Sequence, residues 1–109
     1  KIKVALFDSS LPGRIEKIHE YALNDYWADF EANIAAFAHD PENKRLFLPG
    51  ARGGNILSYS GGEITLTGSA GEIAPARAFF EKGDLYIAGD AGIEVFGGAD
   101  FEKINSVEF

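Results

Sequence analysis

Cysteine and methionine are both missing from these 109 residues. Without thiols there is no disulfide framework, no thiolate metal site and no thiol nucleophile, and the redox compartment cannot be read, so cytosol and exterior both stay open. Basic charge is also scarce: ten Lys and Arg against seventeen Asp and Glu give a net charge of -7 and a pI near 4.7. Such a chain repels a phosphate backbone unless a local basic patch opposes the trend. Lys44-Arg45 and Arg52 are scattered and form no patch, so nucleic acid is not expected as a partner. No apolar run approaches the roughly 18 residues that a bilayer span needs. The opening run Ile2 to Phe7 is cut off by Asp8 before it makes a signal core. A start at Lys1 without Met reads as a chain processed or excised from something longer.

Bulky apolar residues, by contrast, are plentiful. The hydrophobic share is 46%, with nine Phe, four Tyr and one Trp, enough to offset the entropy of ordering one domain. Their arrangement repeats. Leu46-Phe47-Leu48-Pro49-Gly50 matches Leu85-Tyr86-Ile87-Ala88-Gly89, 39 residues on (46 to 85). Each is followed by a second matching run, Ile56 to Gly62 in one and Ile93 to Gly98 in the other, aligned on an aliphatic three residues before an aromatic. That alignment makes the intervening loop two residues shorter in the second copy. A final strand follows each turn, Glu63–Thr67 and Phe101–Ile104, and a front strand precedes each, Ile34–Ala38 and Ala76–Phe80, matched on Phe37 and Phe79. Val4–Phe7 and Ile15–Ile18 read as the back half of an earlier copy. The boundaries are 1–33 for the partial copy, 34–72 for the first full one and 73–109 for the second, within a single domain.

Four short antiparallel strands every ~40 residues is the blade period of β-propellers. The stretch from Phe37 through Asp40-Pro41 to Leu48, with Gly83 to Gly89, resembles the first hairpins of WD40-like or lactonase-type blades, although the Gly-His and Trp-Asp dipeptides of strict WD40 repeats are missing. The resemblance implies an all-β fold of four-stranded blades, either an open fragment or a unit that assembles into a ring as a homo-oligomer. A competing reading concerns residues 14–39. Ile15, Ile18, Ala22, Tyr26, Phe30, Ile34 and Phe37 recur at helical spacing between Pro12-Gly13 and Asp40-Pro41. That pattern gives an α+β domain, one long helix packed on an antiparallel meander.

Chemistry-bearing residues are few. His19, His39, Asp25 and Asp29 are the ingredients for an acid–base or metal site, and their spacing fits no ligand motif. The serines include no Gly-x-Ser-x-Gly elbow. Gly50 to Asn55 matches no phosphate-binding fingerprint and reads as a hairpin loop. Neither a catalytic residue, a metal site nor a cofactor is assigned, and the chain is expected not to be an enzyme. Tyr26-Trp27-Ala28-Asp29-Phe30 is either an exposed aromatic recognition surface or the buried stripe of the helix. In propellers, interblade connections and the loops between second and third strands gather on one ligand-binding face. The resemblance therefore points to Trp27, Asp29, Arg52, Asn55 and Asp90 as ligand-binding positions. The expected function is a non-enzymatic binding or scaffold module for a protein or carbohydrate partner. The alternatives are a small acidic α+β inhibitor or regulatory subunit, and a fragment of a propeller hydrolase whose metal ligands would include Asp90.

Overall fold

A computed structural model describes residues 2–23, 36–97 and 101–109. Ten strands make up the described structure: β1 Ile2–Asp8, β2 Glu16–Leu23, β3 Ala38–Asp40, β4 Arg45–Pro49, β5 Gly54–Ser58, β6 Thr65–Ala70, β7 Arg77–Glu81, β8 Asp84–Gly89, β9 Gly92–Gly97 and β10 Glu102–Glu108. They form a two-stranded sheet, β1-β2, and two four-stranded sheets of order β3-β4-β5-β6 and β7-β8-β9-β10, every pair antiparallel. The fold class is all-β. A 3-10 turn lies at Ser60–Gly62, between β5 and β6.

The structure departs from the α+β expectation over residues 16–23 and 38–40. Glu16–Leu23, near the start of the proposed helix, is strand β2 paired with β1, and Ala38–Asp40 at its end is strand β3, while residues 24–35 between them lie outside the described set. Ile15 and Ile18 satisfy helical spacing, but the opposite strand offers Val4 and Leu6 in alternation, and the hairpin buries these against β4 and β5. Cross-strand pairing thus overrides a helical period shared with residues outside the described set.

Alternation sorts the side chains into two layers. Leu46 and Leu48 of β4, with Leu57 and Ile64, pack against Val4, Leu6 and Tyr21 of the β1-β2 hairpin. The other face of the same sheet, Ala38, Phe47, Ile56 and Ala70, packs against Leu85, Ile87 and Phe96 of the next sheet. The middle sheet is therefore sandwiched, and Phe47, Leu57, Leu85 and Ile87 are fully buried. An ion pair fastens one end of this sandwich. Arg45 donates to Asp40 at 3.1 Å and to the Gly83 carbonyl at 3.0 Å, which holds the β3-β4 turn beside the β7-β8 turn. Its guanidinium also lies 4.5 Å from the Phe101 ring centroid. The two sheets consequently stand the same way up.

Pairing also fixes which positions correspond. Leu46 opposes Leu57 as Leu85 opposes Phe96, and the match runs through to Pro49–Gly54 and Ala88–Ile93. Positions 39 apart correspond throughout (46 to 85, 57 to 96), with no gap at the β4-β5 turn. The two-residue difference expected there lies in the next loop: Ser58 pairs with Thr65, whereas Gly97 pairs with Glu102. Matching Ile56 to Ile93 misplaces the register because turn geometry sets a hairpin's pairing, not the best hydrophobic overlap. The front strands shift similarly. Ala38 opposes Phe47 and Phe79 opposes Tyr86, so Ala38, and not Phe37, corresponds to Phe79.

All three terminal hairpins carry a β-bulge in their last strand: at Ile18, opposite Leu6/Phe7; at Thr67, opposite Ile56/Leu57; and at Ile104, opposite Val95/Phe96. Phe7 pairs with Lys17 as Phe96 pairs with Lys103, so β1-β2 corresponds to the last two strands of each larger sheet.

Candidate functional site

The turns between second and third strands are built alike. Gly50-Ala51-Arg52-Gly53 closes with the Gly50 N–H donating to the Gly53 carbonyl at 2.8 Å, and Gly89-Asp90-Ala91-Gly92 occupies the corresponding place in the next sheet, where Gly89 pairs with Gly92. Gly53 has φ +58, and a Cβ there would collide with the carbonyls of Ala70 and Gly71. Only glycine allows that approach. The Gly53 N–H then donates to the Ile73 carbonyl at 2.7 Å, which pins the turn to the linker between the two sheets.

The linker is held in turn by Glu94. Its Oε1 accepts the N–H groups of Glu72 at 2.8 Å and Ile73 at 3.2 Å, and its Oε2 meets Lys103 at 2.9 Å. Burial pushes this carboxyl up, but the Glu72 N–H, Lys103 and the Ile73 N–H outweigh that and hold it below its ordinary value. Asp40 behaves alike: burial raises it, and Asn43 and Arg45 bring it below its ordinary value. Both buried carboxylates are thus ionised structural anchors and unsuited to donating a proton near neutral pH.

Around the pinned turn lies a cleft of about 350 Å³ lined by Gly50, Ala51, Arg52, Gly54, Asn55, Ser69, Ala70 and Gly71. Two of the expected ligand-binding residues, Arg52 and Asn55, line it together. Asp90 sits exposed in the corresponding turn of the neighbouring sheet, outside the cleft lining. Trp27 and Asp29 lie outside the described residues. Arg52 is exposed and supplies a fork of donors, and the glycine-rich rim lets a ligand approach the backbone closely.

The histidines are accounted for structurally. His19 Nδ1 accepts the Ile64 N–H at 3.0 Å, which places its proton on Nε2 and ties β2 to the loop before β6. His39 Nε2 and the Tyr59 hydroxyl lie 2.7 Å apart. Among the described residues no group of three or more His, Asp or Glu is placed to hold a metal ion. No helix among them is long and apolar enough to cross a membrane.

Sequence reasoning passed over Glu94, Lys103 and the Asp40–Arg45 pair. A signal for Glu94 existed, since it is an acid on the inward-facing side of a strand between Ile93 and Val95, where a carboxylate stays only with partners.

No family model matches the chain, and no solved structure matches it. An uncharacterized protein of Archaeoglobus fulgidus is 32% identical over 108 residues, a match covering 98% of this chain and 17% of that protein. The chain thus spans less than a fifth of the relative's length.

Proposed function

We propose that the chain is a set of propeller-type β-blades serving as a non-enzymatic binding or scaffold module, which presents its strand-two-to-three turns to a protein or glycan partner. The observation that carries this reading is the cleft at the Gly50–Gly53 turn. It combines a donor fork, a side-chain amide and accessible backbone on a turn pinned by its neighbours, so the face is preorganised. The matching Gly89–Gly92 turn places a second such edge beside it. The carboxylates and imidazoles engaged elsewhere support binding over catalysis. Fold likeness alone assigns no partner.

The test is a titration of the isotopically labelled chain with uronic-acid oligosaccharides and with acidic peptides, followed by NMR. Amide shifts confined to residues 50–55 and 69–71, with binding weakened roughly tenfold by Arg52→Ala, are expected for a charge-assisted contact. Absence of any shift at this face with both ligand classes removes the reading.

A further inference from the structure

A second cleft, of about 410 Å³, runs along β1 and is lined by Val4, Ala5, Leu6 and Phe7 on one side and by Phe37, His39, Leu46, Tyr59 and Ile64 on the other. Four consecutive residues of one strand line it because the cleft lies at the strand's edge, not against one face. In the described structure β1 pairs on one side only, with β2. The corresponding strands β5 and β9 are each paired on both sides, with β4 and β8 on the edge that β1 leaves open.

What fills that place in the larger sheets is known from the same molecule. β4 reads Leu46-Phe47-Leu48-Pro49-Gly50 and β8 reads Leu85-Tyr86-Ile87-Ala88-Gly89. The central aromatic of β4 points toward the following sheet, where Phe47 is fully buried beside Leu85 and Ile87. Beside β1 the sheet that follows is the middle one, and its exposed surface there is Phe37, His39 and the edge of Tyr59, around an apolar floor of Leu46 and Ile64. The cleft occupies the position of a Phe47-like side chain.

We propose that the open edge of β1 is a strand-acceptor site, and that its occupant is an extended segment of pattern Leu-aromatic-aliphatic-x-Gly from another blade of the same kind. The segment adds antiparallel to β1, its backbone satisfies the edge, and its aromatic enters the cleft. The archaeal relative, of which this chain matches 17%, is long enough to carry further polypeptide from which a strand of this kind can come. The inference uses the correspondence of strands and not the turn cleft, so it stands or falls apart from the partner reading above.

The pairing predicts a register. Phe96 opposes Leu85 and Ile93 opposes Ala88, so in the added strand the Leu lies opposite Phe7, the aromatic opposite Leu6 and the residue before Gly opposite Val4. The probe is a synthetic peptide of residues 83–91, which carries the β8 sequence, added to the full chain.

Saturable binding is expected by fluorescence anisotropy, with new protection of β1 amides from hydrogen exchange. A spin label at the peptide's N-terminus should broaden Phe7 and Asp8 rather than the start of β1. A peptide with Tyr86→Ala should bind at least roughly tenfold more weakly, as expected for losing a buried aromatic. Because that change is in the probe, it leaves the protein's folding untouched. Binding no tighter than that of a scrambled peptide, equal binding by the alanine peptide, or protection located away from β1 each overturns the proposal. Shifts at residues 50–55 without β1 protection would overturn this site while supporting the turn cleft.

Discussion

The middle and C-terminal sheets share strand order, turn placement and bulge, yet among the described residues one is covered on both faces and the other on one. Phe47 and Tyr86 make the contrast concrete. They occupy corresponding positions at the centre of the second strand, and Phe47 is fully buried, whereas Tyr86 is half-buried and stacks at 4.8 Å on Phe79, which is 51% exposed. Val107, on the same outer face, is 54% exposed. One strand pattern thus yields core or surface according to whether a neighbour stands on it, so the energetic value of a position lies in the stacking and not in the sheet.

The largest test of that statement is a pair of truncations. Phe47→Ala removes a fully buried ring between two sheets and should cost about 3–5 kcal/mol, read as a shift of the urea midpoint. Tyr86→Ala removes a half-buried ring stacked on Phe79 on the outer face and should cost about 1 kcal/mol or less. Equal losses at the two positions would mean that the outer face is covered in solution, and sedimentation would then show a species heavier than the 11.8 kDa monomer.

A second pair probes the linker. Glu94 and Asn55 correspond, but Glu94 is buried and holds two backbone N–H groups and Lys103, while Asn55 is half-buried at the cleft. Glu94→Ala strands those donors and should cost about 2–3 kcal/mol, whereas Asn55→Ala should fall within about 0.5 kcal/mol of the parent.

The same anchors set an acid limit. Asp40 and Glu94 both sit below their ordinary values of 3.8 and 4.5 in the folded chain. A depressed carboxylate contributes stability above its unfolded value and loses it as pH falls through the folded one. Stability should therefore hold from neutral pH to about 4.5 and decline below it. The double variant Asp40→Asn, Glu94→Gln should start lower at pH 7 and decline less steeply in acid. An unchanged acid slope would show that other carboxylates govern it.

These contrasts also mark what the sequence could carry. Strand existence was legible, because Leu46-Phe47-Leu48 and Leu85-Tyr86-Ile87 are short apolar runs that end at glycine-flanked turns. Their two-sided burial was not, since identical patterns serve a covered and an uncovered face. Register was half legible. The correspondence of Phe7 with Phe96 and of Ile18 with Ile104 follows from local similarity, but that of Leu57 with Phe96 depends on the Gly50–Gly53 turn closing as it does. Arg52 and Asn55 could be placed together because a turn brings near neighbours to one rim. The Glu94–Ile73 bond joins residues 21 apart through a linker whose path no local pattern specifies. Residues 16–23 misled because helical spacing and strand alternation both fit a short stretch, and only the partner strand decides.

The smallest contrast is the sharpest. Lys17 and Lys103 correspond, each opposite the Phe beside the bulge. Lys103 reaches the buried Glu94 at 2.9 Å, and the Glu94 hydrogen bond raises its pKa. Lys17 reaches Glu20 at 3.5 Å with both side chains exposed, because Ala5 stands where Glu94 stands in the other hairpin. Lys103→Ala should lower the urea midpoint measurably and Lys17→Ala should not, since exposed pairs are screened and entropically costly. Introducing the missing acid, Ala5→Glu, should leave the midpoint where it was. A carboxylate at position 5 would have Lys17 beside it but, among the described residues, no linker N–H groups to accept from, and Ala5 is exposed. If Ala5→Glu stabilised the chain as much as Glu94 does, charge alone would explain the C-terminal anchor. If it does not, the anchor depends on the Glu72 and Ile73 N–H groups that the linker between the sheets provides.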